Sequence, residues 1–229
     1  MSEPKRVLLV GATGLVGTRT MEAGVGREDL RLIALTRREA PLPPGARMEM
    51  LVAEPAEWGT SVAAVAPDAA ICALGTTWRK AGEVEAAFRA VDEELVLRVA
   101  RAARGAGARN FVLVSSVGAD RASRAFYLRV KGEVEAAARQ LGFHRLDILR
   151  PGLLRGPRGE DRRRGERLAI LASPLTDLFL GGGRRHLRSI DARSVARAAL
   201  QFAREKARGT FVHDNDSILR AARRFDGAA

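Results

Sequence analysis

The feature that most constrains this chain is an apolar run that breaks on a glycine series: Arg6-Val-Leu-Leu-Val10, then Gly11-Ala-Thr-Gly14-Leu-Val-Gly17. A short, unbroken apolar run reads as a strand buried on both faces, the kind found in parallel sheets covered by helices. A backbone that turns from such a strand directly into a helix needs positions without a Cβ. The helix, expected over residues 15–23, would present its unpaired N–H groups and the positive end of its dipole at the carboxyl edge of the strand. That geometry suits a pyrophosphate, and the last glycine lets helix and sheet approach closely. Gly11, Thr13, Gly14, Leu15, Val16 and Gly17 are therefore the first candidate binding residues.

The pattern continues as alternation. Apolar runs at 30–36, 47–52, 68–74, 111–114 and 146–149 read as further strands, and helical patterns at 57–65, 82–104 and 126–141 lie between them. In the longest, Val91, Leu95, Val99 and Ala102 sit three or four apart and define one helical face. Strand–helix alternation specifies an α/β fold, a doubly wound parallel sheet with right-handed crossovers and helices on both faces. The expected strand order is 3-2-1-4-5-6, with 210–213 as a short seventh strand. Beyond Pro151 the rhythm changes. Residues 156–167 form an arginine-rich polar loop, Asp191 reads as the N-cap of a helix over 192–206, and a last helix is expected over 218–225. The whole of 1–229 reads as one domain, with 1–151 as the core and 152–229 as a small C-terminal, substrate-side elaboration.

Composition narrows the function classes. The 229 residues carry a net charge of +12, but the positive charge is almost all arginine, scattered and with few aromatics between. That argues against a nucleic-acid groove. No apolar run reaches the roughly 18 residues a membrane span needs. A lone cysteine, Cys72, and the absence of a leader pattern predict a cytoplasmic protein. No histidine spacing suggests a metal site.

The arginine bias makes each lysine informative. Lys131 is one of four, and it stands four residues after Tyr127, the chain's single tyrosine. Four residues is one helical turn, so both side chains share a face. A free phenol is a weak acid near neutral pH, and a neighbouring ammonium favours its ionised form. Such a pair can deliver a proton to a carbonyl oxygen. Ser115 and Ser116 close the fifth strand at the edge where ligands gather in open parallel sheets, so one of them, Ser116 before Ser115, is the candidate hydroxyl. The second strand ends in Thr36-Arg37-Arg38, where an NAD site usually carries an acid for the ribose 2′-hydroxyl. Guanidinium groups suit a 2′-phosphate instead, which favours NADPH, with NADH as the alternative.

The Gly-x-x-Gly-x-x-Gly spacing, Ala73-Leu-Gly-Thr-Thr77, Val114-Ser-Ser116, Tyr127-x-x-x-Lys131-Gly-Glu-Val-Glu135 and Leu149-Arg-Pro-Gly152 together resemble the atypical and extended short-chain dehydrogenases/reductases. Within them they resemble the branch of the Tat-interacting-protein-like oxidoreductases. The resemblance implies a Rossmann domain with Leu74, Gly75, Thr76 and Thr77 along the cofactor and Lys131 on its nicotinamide ribose. It also implies dimers built on helices such as 82–104 and 122–140. Many such enzymes carry an asparagine on the helix before the fifth strand, and 82–104 has none. The reading is an NADPH-dependent oxidoreductase acting on a small carbonyl-type substrate. Its alternative is an NADP(H)-binding regulatory or protein-interaction module with little turnover.

Overall fold

The computed structural model describes residues 3–156 and 188–227. The predicted 156–167 loop beyond Gly156, Arg184-Arg185 and His186 lie outside the described residues.

Seven strands form one parallel sheet: β1 (Lys5–Val10), β2 (Leu30–Thr36), β3 (Glu49–Val52), β4 (Ala69–Cys72), β5 (Asn110–Val114), β6 (Arg145–Leu149) and β9 (Gly209–His213). Their order is β3-β2-β1-β4-β5-β6-β9, the expected doubly wound arrangement with its seventh strand. The intervening pair, β7 (Leu154–Arg155) and β8 (Ile190–Asp191), forms a separate two-stranded stub that no sequence signal announced.

The central strands are buried on both faces, and alternate side chains feed two cores. Val7 and Leu9 of β1 join one core with α1 (Leu15–Gly24), α6 (Ala192–Arg204) and α7 (Asn215–Asp226). Leu8 and Val10 join the other, with α2 (Trp58–Val65), α4 (Val96–Gly105) and α5 (Phe126–Gln140). Two capping aspartates set the late helices. Asp191 accepts from the Arg193 N–H at 2.8 Å, as expected, and Asp214 accepts from the Ser217 N–H at 2.9 Å. The second cap starts α7 at Asn215, three residues before the predicted start, because an N-cap aspartate satisfies donors of the first turn.

The long helix expected over 82–104 is three pieces. A short α3 (Glu85–Arg89) passes into a π-helical stretch, Ala90–Leu95, and then into α4. The buried face lies about one position along from the predicted one. Asp92, Val96, Val99 and Ala103 are buried, whereas the predicted face members Val91 and Ala102 are only partly so. The consequence is a carboxylate pointing into the protein.

Candidate active site

The glycine series forms a cradle at the carboxyl edge of β1. Gly11 leaves the strand at φ +87°, in the left-handed region, and a Cβ there would lie 2.5 Å from the Ala73 carbonyl oxygen. The Gly14 N–H donates to the Gly11 carbonyl at 3.0 Å and closes the turn. A Cβ on Gly17 would overlap the same Gly11 carbonyl, so the close approach of α1 admits only glycine. Gly14 is the N-cap of α1, with no side-chain cap and no acid in the first turn. Thr13 and Gly14 are exposed at the rim, Leu15 is half-buried and Val16 is buried beneath. A cradle that side chains would fill, at a helix N-terminus free of competing carboxylates, fits a dinucleotide pyrophosphate. Arg37 and Arg38 are exposed just past the end of β2, the strand paired with β1.

From the cradle the contacts pass to β4. The Gly11 turn packs on the backbone of Ala73 and Leu74, and the chain then runs through Gly75, Thr76 and Thr77. Gly75 faces a buried ion pair: a Cβ on it would lie 3.5 Å from Asp92 Oδ1 and 3.8 Å from Lys131 Nζ. Those two atoms are 2.8 Å apart, with the lysine side chain 7% exposed and the aspartate 0%. The other carboxylate oxygen of Asp92, Oδ2, accepts from the Thr76 N–H at 2.7 Å.

Lys131 sits one turn after Tyr127 on α5, its ammonium 6.0 Å from the centre of the Tyr127 ring. Burial presses the lysine pKa down, but the Asp92 charge, Tyr127 and the hydrogen bond to Asp92 outweigh it, and the net shift is upward. Cys72, buried at the end of β4, is pushed up to about 11 by burial and is a thiol at neutral pH. Tyr127 is partly exposed and packs edge-on against Phe88, their centres 5.7 Å apart, beside Trp78 and Phe126.

The two serines are placed differently. Ser115 is buried, and its hydroxyl donates to Glu135 Oε1 at 2.6 Å. Arg150 holds the same carboxylate with two donors, at 3.0 and 2.5 Å. Ser115 thus belongs to a bracket joining β5, α5 and β6. Ser116 is half-buried, and its hydroxyl makes a single long bond, 3.3 Å to the Val117 carbonyl. Sequence reasoning assigned no role to Asp92, Glu135 or Arg150. Glu135 was within reach of it: it lies on the buried face of α5, four residues after Lys131. His213 pairs with Asp147 at 2.8 Å, while its neighbour Asp214 caps α7.

Sheet order, cradle and the Tyr127–Lys131 helix define a dinucleotide-binding α/β protein of the short-chain dehydrogenase/reductase type. The chain belongs to the NAD(P)H-binding family whose model matches residues 11–206. It is 37% identical over 163 residues to the mitochondrial protein fmp52 of Emericella nidulans, covering 68% of this chain and 70% of the relative. It is 34% identical over 201 residues to mitochondrial fmp52 of Aspergillus fumigatus, covering 85% of each. Among solved structures, MoeE5 in complex with UDP-glucuronic acid and NAD superposes with a TM-score of 0.70 at 16% identity, covering 97% of this chain and 82% of that one. The Bordetella bronchiseptica enzyme WbmH in complex with NAD+ gives a TM-score of 0.68 at 15% identity, covering 92% and 76%. The structural likenesses show the fold.

The expectation of a cytoplasmic protein is overturned by the relatives, which carry mitochondrial names at 33–37% identity. A single buried cysteine is compatible with more than one reducing compartment, so it could not decide between them. No helix among the described residues is long and apolar enough to cross a membrane.

Proposed function

We propose that the protein is an NADPH-dependent oxidoreductase that reduces a small carbonyl-type substrate, with Tyr127 as proton donor, Lys131 as its charged neighbour and ribose anchor, and Ser116 as the hydroxyl that polarises the carbonyl. The observation that carries this is the placement of Lys131. Its buried ammonium is 6.0 Å from the centre of the Tyr127 ring and also faces Gly75, on the loop that packs against the glycine cradle. A lysine in that position can touch a ribose and a phenol at once.

The dinucleotide, when bound, supplies the hydride. The chain does the rest. The cradle holds the pyrophosphate on backbone N–H groups. Arg37 and Arg38, exposed beyond β2, offer guanidinium groups to a 2′-phosphate. The Ser116 hydroxyl donates to the substrate oxygen, and the Tyr127 phenol passes its proton to that oxygen as the carbonyl carbon is reduced. The ammonium of Lys131 stabilises the phenolate left behind. Leu74, Gly75, Thr76 and Thr77 line the cofactor between these groups. The relatives' names support a mitochondrial setting.

The test is a screen of aldehydes and ketones with NADPH, following absorbance loss, on wild type and Tyr127→Phe. The expected result is turnover that falls by about 100-fold or more in the variant while its NADPH affinity is kept, the scale of a lost general acid. Turnover that survives in Tyr127→Phe would remove Tyr127 from the chemistry.

A further inference from the structure

Resting on that reading of the site, we propose that Asp92 is its positioning residue, a single buried carboxylate that fixes the Lys131 ammonium on Oδ1 and the β4 exit loop, through the Thr76 N–H, on Oδ2. Three observations carry it. First, the carboxylate is fully buried and its two oxygens go to two different parts of the candidate cofactor site, at 2.8 Å and 2.7 Å. Second, Asp92 lies in the π-helical stretch Ala90–Leu95, on the buried side of the helix with Phe88, Val96 and Val99. π-Helical turns inside helices recur at functional sites. Third, apart from the ammonium, Oδ1 has no hydrogen-bond partner among the described residues. Oδ1 is therefore given over to the ammonium, and the placement of Lys131 depends on this one contact.

The groups facing Lys131 are few. They are Asp92 from the π-helical stretch, Tyr127 from its own helix and Cys72 from β4. Among the described residues only Asp92 supplies a carboxylate there. Without it, burial is the dominant influence left on the lysine, and burial favours the neutral amine. A neutral Lys131 could no longer act as a charged anchor at alkaline pH, and the loop at Thr76 would lose its acceptor.

The experiment uses the full chain labelled with [ε-13C]lysine, whose four lysines make a simple spectrum, with Lys131 assigned from its absence in Lys131→Met. In wild type the Lys131 signal should stay that of an ammonium up to about pH 10, and in Asp92→Asn it should titrate below that. NADPH affinity, measured by calorimetry at pH 7.5 and 9.5, should change little with pH in wild type and weaken by about tenfold or more at the higher pH in Asp92→Asn. In a Lys131→Met background the same substitution should have no pH-dependent effect. A purely structural Asp92 would lower stability and weaken binding alike at both pH values. The proposal is overturned if Lys131 of Asp92→Asn stays charged to about pH 10 and its NADPH affinity matches wild type at both pH values. Should Asp92→Asn not fold, the wild-type titration decides alone: Lys131 losing its proton below about pH 10 overturns the proposal. Wild type that binds no dinucleotide would instead sink the proposed function, a result distinct from wild type and variant binding equally well.

Discussion

Two buried ion pairs, on different parts of the sheet, are built to different standards. At β6, Arg145 grips Asp147 with two bonds of 2.7 and 2.8 Å, and His213 adds a third contact to the same carboxylate at 2.8 Å. Arg145 also donates to the Ala207 carbonyl, and its guanidinium lies 4.3 Å from the centre of the Phe211 ring. Every charged group there is occupied. At the cofactor edge, Lys131 and Asp92 share one contact, and among the described residues the ammonium meets only that carboxylate and the Tyr127 ring. A saturated pair locks strands together. An unsaturated pair, beside a glycine-lined edge, has capacity left for a ligand. The difference teaches that burial of charge by itself does not mark a functional site; what a buried charge has left to bind beside the glycine-lined edge separates the two pairs.

The comparison breaks most visibly at Asp147. Asp147→Ala leaves Arg145 buried without its carboxylate and should cost about 3–5 kcal/mol, read as a drop in urea midpoint. NADPH affinity of the folded fraction should stay at the wild-type value. A variant that lost binding but kept its stability would reverse the roles given to the two pairs. Gly17→Ala should do the opposite in kind. Its Cβ meets the Gly11 carbonyl, so the cradle must shift, costing on the order of 1–3 kcal/mol. Dinucleotide binding should be lost with it; calorimetry showing wild-type affinity would disprove the cradle.

Ser115→Ala sharpens the contrast at intermediate scale. It removes the 2.6 Å bond to Glu135 but leaves Arg150 in place, so it should cost about 1 kcal/mol and spare turnover. Loss of turnover with unchanged stability would give Ser115 the catalytic role instead. The smallest effect is acid-dependent. The Asp214 pKa is lowered by hydrogen bonds from Ser217, which outweigh partial burial, with help from Arg220. A depressed folded pKa means the cap's stabilisation is present above the unfolded value, 3.8, and fades as pH falls through the lower folded value. Asp214→Ala should therefore lower stability by about 1 kcal/mol at pH 7. The gap to wild type should narrow as pH falls below 3.8 and through the lower folded value, and a gap that did not change with pH would mean the side chain acts by packing instead.

Much of the fold was legible because parallel strands and glycine turns are local signals. Val7 to Val10 are apolar at every position because both faces are covered, and Gly11 and Gly17 stand where a side chain would collide with named backbone atoms. Tyr127 and Lys131 were legible because a helix repeats every 3.6 residues. Asp92 was not. The face drawn through Val91, Leu95, Val99 and Ala102 passes beside Asp92, and a carboxylate is read as buried only once its partner is known, here Lys131 on a different helix. Ser115 was legible as a strand-end hydroxyl, but its commitment to Glu135 depends on a residue 20 positions away and on Arg150 across the sheet. Contacts between distant segments are what a one-dimensional pattern carries least.

The central claim is that the cradle holds NADPH with its 2′-phosphate against Arg37 and Arg38. Calorimetric titration of wild type and Arg37→Ala/Arg38→Ala with NADPH and with NADH tests it directly. The account predicts NADPH binding at least about tenfold tighter than NADH in wild type, and a double variant that loses this preference while its NADH affinity is unchanged. Equal affinity for the two dinucleotides in wild type, or a preference for NADPH that survives in the double variant, would contradict it.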